Sequence, residues 1–319
     1  MLRQYLIGLG AGVISATLVG AAAVAKALAG ILLYLAPLPV CLAGLGWGSR
    51  AALVAALAGG LVTALSFGPI AGIVFLVFVG APFAFFCHLL LLSRPPESQE
   101  GVNAIAVEWY PPSRLVGWSA LIAGVLATFV IVALGFDETA LRETIRTELQ
   151  GATGTALDPE GTLLTPKNIE ILSGTLAQIM PAIFSVGWLT TALLNLWIAG
   201  MIVEASGRAL RPWPKLDALE LPNTVFFGLV GSLAASFIPG QIGLIGTAFA
   251  GAFLLAFVLQ GLAVIHAATR GMSMRGIILA AVYFGIFLFG WPAIIVAILG
   301  VAEPMLNLRE RAANRNTPD

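Results

Sequence analysis

The chain alternates between long apolar runs and short breaks made of charged residues or Pro-Gly steps. A helix needs about 20 residues to cross the hydrocarbon core of a bilayer, so each long run predicts one membrane helix. Nine segments result, at about 5–25, 27–47, 51–66, 70–92, 115–136, 176–203, 223–238, 242–268 and 276–302. Lys26 divides the first long block, while Phe67-Gly68-Pro69 and Pro239-Gly240-Gln241 divide two others. The expected fold class is all-α: a polytopic transmembrane helical bundle, one membrane domain over residues 1–319, with eight to nine membrane segments.

The last run holds Gly290-Trp291-Pro292 near its middle. Proline lacks a backbone donor and breaks or kinks a helix, so a bent pair of short helices is expected there after eight full spans. Charge points the same way, because Lys and Arg collect in short cytoplasmic loops. With the N-terminus inside, those loops hold Arg3, Arg50, Arg94, Arg114, Arg208, Arg211, Lys215, Arg270 and Arg275. Lys26 is the early exception. Nine full crossings would carry Arg309, Arg311 and Arg315 outside, whereas a hairpin returns them to the cytoplasm. A cleaved signal peptide is a competing reading of the start, with Arg3, an apolar run and Ala21-Ala22-Ala23. The apolar pattern resumes at once, which favours a retained first span. The expected location is the bacterial cytoplasmic (inner) membrane, multi-pass.

Residues 137–175 form the expected extracytoplasmic loop, with seven acids against Arg142, Arg146 and Lys167. Leu141, Ile145 and Leu149 recur every four residues, which predicts a short amphipathic helix over 137–150. Glu138 stands four before Arg142, a favourable helical pair. That helix is expected flat on the membrane surface or over the bundle mouth, as a connector or a lid. Asp158-Pro159-Glu160-Gly161 reads as a turn, and Thr165-Pro166 as the cap and first residue of a helix entering the sixth span, bending at Pro181. The loops at 93–114 and 206–221 are proline-rich and read as stiff connectors or docking surfaces.

Composition sharpens this picture mostly by exclusion. Hydrophobic residues make up 59% of the 319 and charged residues 10%, with mean hydropathy +0.97, which is too little polarity for a soluble domain of this size. A soluble enzyme, a nucleic-acid binder and a disulfide scaffold are excluded. Cys41 and Cys87 both fall in apolar runs and read as small buried residues. Lys26, Lys167 and Lys215 are the lysines, and none follows a glycine, so the chain has no phosphate loop and no ATPase of its own.

Catalytic motifs are absent from the sequence: it contains no HExxH, CxxC or GxSxG, and no paired intramembrane acids. His88 and His266 read as interfacial packing residues, and Gly271-Met272-Ser273-Met274-Arg275 is a near miss to a nucleophile motif with no base nearby. No enzymatic activity, catalytic residue, metal site or cofactor is expected. Two patterns do carry information. Gly8, Gly12, Ala16 and Gly20 form a ridge of small residues along the first span. Such ridges let membrane helices approach closely, either inside one bundle or as a docking face for another subunit. The sixth span carries a polar stripe of Gln178, Ser185, Trp188, Thr191 and Asn195. Polar groups at bilayer depth face the bundle interior, as helix–helix hydrogen bonds or as the lining of a small-solute cavity. Gln260 and Tyr283 are candidates to face the same space. Glu204 and Glu303 sit at segment ends, and no buried acid chain of a proton-driven pump is visible.

The C-terminal Gly290-Trp291-Pro292, Gly300-Val301-Ala302-Glu303 and Leu308-Arg309 resemble the ending of the YybS-like family of bacterial polytopic membrane proteins. The family shows a Gly, an acid, usually Asp, and an aromatic or Leu before Arg; here Glu303 and Leu308 take those places. The resemblance extends over the chain in layout, and the family is distantly similar to the substrate-binding S components of energy-coupling-factor transporters. It implies a membrane-embedded small-solute binder whose small-residue helix, Gly8 to Gly20 here, docks on a transmembrane coupling subunit. Expected partners are therefore the lipid bilayer, a coupling subunit or other membrane protein, and a small solute, with no nucleic acid. A non-transporting scaffold or assembly partner is the alternative.

Overall fold

Many small residues lie inside and many bulky apolar ones face outward. Ala51, Ala52, Ala55, Ala120 and Ala192 are wholly buried, while Leu65, Ile70, Phe237 and Phe287 are 78–89% exposed. Lipid tails are as apolar as leucine, so a large side chain can face outward without penalty, and small residues are favoured where backbones approach closely. The computed structural model describes residues 2–25, 27–94, 107–153, 158–160, 162–214 and 219–307. Among the described residues the regular secondary structure is helical apart from one two-residue strand pair. Among the described residues seven helical segments are long and apolar enough to cross a membrane, and three apolar helices are shorter. The polytopic helical bundle expected from the apolar pattern is therefore the fold.

By contacts the chain divides into two compact units. The first comprises Met1–Ser119 with Thr190–Leu216, and the second Ala120–Leu189 with Asp217–Asp319. In the first, α1 (Leu2–Val24) lies on α4 (Ser49–Phe67), with α2 (Ala29–Leu35) and α3 (Leu38–Trp47) beside them. The Gly8–Gly20 ridge makes the α1–α4 contact. A Cβ on Gly8 would stand 2.6 Å from the Ala51 carbonyl oxygen, and one on Gly12 would stand 2.8 Å from the Gly59 nitrogen. Ala16 is buried, and Gly20 faces the Phe67 ring. The ridge is thus covered by α4 of the same chain rather than offered to a second subunit.

Gly48 and Gly68 make the two turns that flank α4, at φ +100° and +97°, a region that side chains with a Cβ avoid. Beyond Gly68, α5 (Pro69–Phe75) widens into a π turn at Leu76–Gly80 and continues as α6 (Ala81–Leu90). Pro82 cannot donate to the residue four before it, and a single wide turn accommodates that loss.

The second unit takes the rest of α7 (Pro112–Ala133) and of α9 (Pro166–Ala205), together with α8 (Glu138–Ala152), α10 (Asn223–Ser236), α11 (Gln241–Ala268), α12 (Arg275–Phe289) and α13 (Pro292–Leu306). α9 continues through Pro181 as one helix. Backbone contact between α11 and α13 is close: a Cβ on Gly300 would stand 2.9 Å from the Gly261 nitrogen. Gly290, at φ +72°, and Trp291 separate α12 from α13, so the last apolar run is two short helices. Arg309, Arg311 and Arg315 lie outside the described residues, as do Lys26, Lys215 and Leu308.

α8 begins at Asp137, whose carboxylate accepts from the Ala140 amide at 2.7 Å. Its Leu141 and Ile145 are buried against Ile131 of α7, Ala177 of α9 and Leu244 of α11. The amphipathic face predicted from their spacing therefore packs on helices of its own unit rather than on the lipid surface. Arg142 pairs with Glu170 on α9 in place of the expected Glu138. The cap at Thr165 forms, with the Asn168 amide donating to its hydroxyl at 3.3 Å. The buried Asp158 carboxylate accepts from the amides of Thr162, Leu163 and Leu164, which fixes the turn before it.

Candidate functional site

Helix α2 stops at Leu35, inside an apolar stretch that the hydropathy pattern reads as one span. The cause is Ala36-Pro37-Leu38-Pro39. In an α-helix each amide donates to the carbonyl four residues earlier, and Pro37 and Pro39 have no amide hydrogen. The carbonyls of Leu33 and Leu35 lose their ordinary donors, and the Ala36 amide turns back to Leu33 at 3.3 Å. Backbone interrupted at membrane depth must be satisfied by neighbouring groups, because lipid offers none.

Two side chains from other helices of the first unit do this. Ser15 of α1 is wholly buried and donates to the Ala36 carbonyl at 2.5 Å. Asn195 of α9 donates through Nδ2 to the Tyr34 carbonyl at 2.6 Å and to the Thr191 carbonyl at 2.8 Å. Both acceptors are carbonyls, so the amide orientation is fixed by its partners. The consequence lies on the other atom. Asn195 is 1% exposed, and its Oδ1 is buried with no hydrogen-bond partner in the protein. A buried acceptor left unsatisfied costs about 1–3 kcal/mol. A fixed, buried and unpaired oxygen beside a broken membrane helix is the candidate functional site.

Of the other stripe residues, Thr191 is half-buried in the same unit and supplies a carbonyl to Asn195. Gln178, Ser185 and Trp188 belong to the second unit. Gln178 is exposed, 3.4 Å from the Glu138 carboxylate; Ser185 is buried and donates to the Ala248 carbonyl of α11 at 2.6 Å; Trp188 is half-buried. Gln260 and Tyr283, also in the second unit, close on partners outside the stripe. The Gln260 amide bridges two elements, accepting from the Leu221 amide at 2.7 Å and donating to the Gly300 carbonyl at 2.8 Å. Tyr283, about half exposed, shares a hydrogen bond of 2.9 Å with His266 Nε2. Both amide atoms of Gln260 are thus engaged in holding helices, in contrast to Asn195. Gln260→Leu is expected to destabilise the protein by about 2 kcal/mol or more, because it strands one buried amide and one buried carbonyl. Thermal unfolding in detergent checks this.

Sequence pattern alone missed Ser15, Tyr34 and the Pro37–Pro39 break, and it missed the role of Arg211. This arginine is largely buried in the loop after α9. Its Nη1 donates to the Leu90 carbonyl at the end of α6 at 2.7 Å, and its guanidinium lies 5.5 Å from the Trp109 ring centroid. It therefore caps α6 and fastens the loop to the strand pair β1 (Ser93–Arg94) and β2 (Glu108–Trp109). Burial draws its pKa down, but an arginine stays charged throughout the physiological range. Nearby, Arg208 lies 5.1 Å from the centroid of Trp47.

The strand pair carries its own ion pair, Arg94 Nε to Glu108 Oε2 at 2.7 Å. The hydrogen bond from Arg94 holds the Glu108 carboxyl below the usual carboxylate range. A carboxyl lowered in the folded state contributes above its unfolded pKa, and the contribution is lost as pH falls through the folded value. Exchange protection of the Tyr110 amide, which donates to Leu92 at 3.0 Å, is expected to be flat near neutrality and to drop only at acid pH. Glu108→Gln should remove that pH dependence.

The described residues contain no group of three or more His, Cys, Asp or Glu able to hold a metal ion. The family model described as "Predicted membrane protein (DUF2232)" matches residues 13–303. No curated protein and no solved structure matches the chain.

Proposed function

We propose that this chain, which belongs to the DUF2232 family of predicted membrane proteins, is a small-solute-binding component of a transport system without its own ATPase. The observation that carries the reading is the unpaired, buried Asn195 Oδ1 at the α2–α3 break. Broken membrane helices with polar groups at the interruption are a recurrent way of building substrate and ion sites in transporters. A ligand bringing a hydrogen-bond donor or a positive charge would satisfy the oxygen that the protein leaves open. Energy would come from a partner, since the sequence has no phosphate loop.

The C-terminal resemblance to YybS-like proteins, and through them to S components of energy-coupling-factor transporters, supports the same role. Under that reading the N-terminus is cytoplasmic in a bacterial inner membrane. The Gly8–Gly20 ridge is occupied by α4, so a coupling partner would dock elsewhere on the chain. No catalytic role is proposed.

Native mass spectrometry of the protein released from mild detergent tests the proposal. The expected result is a small molecule or ion retained by the wild type and absent from Asn195→Ala. A protein that is empty, and that co-purifies with a stoichiometric partner regardless of this substitution, would instead be a scaffold.

A further inference from the structure

We infer that the α2–α3 break binds a monovalent metal cation, with Asn195 Oδ1 as its side-chain ligand. The inference rests on the reading of the first unit as a ligand-binding body and names the chemistry of one occupant. The hydrogen bonds at the break run from Ser15 and Asn195 to the carbonyls of Ala36, Tyr34 and Thr191, and no Arg, Lys or His takes part in them. What remains for a ligand is oxygen: Asn195 Oδ1 has no partner, and the neighbouring Tyr34 and Ala36 carbonyls are acceptors as well. Such a set attracts positive charge and repels anions.

Asn195 cannot turn its amide to offer the nitrogen, because both Nδ2 hydrogens are committed to carbonyls. Burial then selects among cations. Asn195 and Ser15 are 1% and 0% exposed, which favours a single dehydrated ion over an amine carrying a carbon skeleton. Carbonyl and amide oxygens can replace the hydration shell of an alkali ion, with no carboxylate required.

The test uses the full-length protein in detergent, in N-methylglucamine chloride at fixed ionic strength. Lithium, sodium, potassium or methylammonium chloride is substituted stepwise while the unfolding temperature is followed. One alkali ion is expected to raise it saturably, by on the order of 3–5 °C at about ten times its Kd. The shift should vanish in Asn195→Leu and shrink in Ser15→Ala. It should persist in Thr17→Val, which alters an exposed hydroxyl on α1 bonded within its own helix. If Asn195→Leu does not fold, Ser15→Ala decides alone. Equal unfolding temperatures in all the salts, a response to methylammonium alone, or a shift unchanged in the folded variants, would overturn the cation. A neutral or anionic solute retained through Asn195 alongside cation indifference would also overturn it, while leaving the solute-binding reading intact.

Discussion

Gly12→Leu is expected to cost about 3 kcal/mol or more and to remove most folded protein from the membrane, while Gly10→Leu, half a turn away, leaves both nearly unchanged. Between Gly12 and α4 there is no room even for a methyl group, since a Cβ would meet the Gly59 nitrogen at 2.8 Å and the Ala58 Cβ at 2.9 Å. Backbone cannot rotate aside as a long side chain can, so the whole of α1 would have to lift from α4. Gly10 has nothing within 4 Å of the same construction and faces outward. Both substitutions replace glycine by a better helix former of equal hydrophobicity, so the contrast isolates packing from propensity. Yield of folded protein and unfolding temperature of the two variants check it. Equal behaviour would mean that α1 does not pack on α4 through this ridge.

Asn195→Leu is expected to do the reverse, sparing most of the stability and removing the ligand. The change strands the Tyr34 carbonyl, which loses the donor now 2.6 Å away. It also removes Oδ1, an oxygen that itself lacks a partner, so the two effects oppose each other. Net destabilisation should stay near 1 kcal/mol, comparable to single hydrogen bonds between membrane helices. Binding has no such offset. Loss of a directional ligand atom in a dry site should weaken the ligand by tenfold or more. Gln178→Ala, on the exposed side of α9, should leave the ligand in place. Isothermal titration, or retention after gel filtration, distinguishes the two.

The spans were legible because the bilayer imposes a length on each helix, and α1, α4 and α7 begin or end within three residues of the apolar boundaries. The α2–α3 break was not, since Pro37 and Pro39 sit among residues as apolar as their neighbours and hydropathy does not register a missing donor. Two prolines spaced two apart inside a span were the available signal. Asn195 stood out as an amide at membrane depth, and so did Gln260. What separates them is the partner each finds across the fold: Gln260 meets both a donor and an acceptor, whereas Asn195 meets only acceptors. That distinction depends on contacts distant in sequence. The ridge from Gly8 to Gly20 was visible for the same reason that its partner was not: spacing gives a smooth face but not what covers it.

A ligand held at the α2–α3 break through Asn195 would be visible directly. A cryo-electron microscopy map of the protein purified in mild detergent, at a resolution that shows ordered ions and water, tests for it most directly. Non-protein density is expected within about 3 Å of Asn195 Oδ1, at hydrogen-bond or coordination distance. If that oxygen is instead bonded to a protein donor, with no density beside it, the break holds no ligand through Asn195.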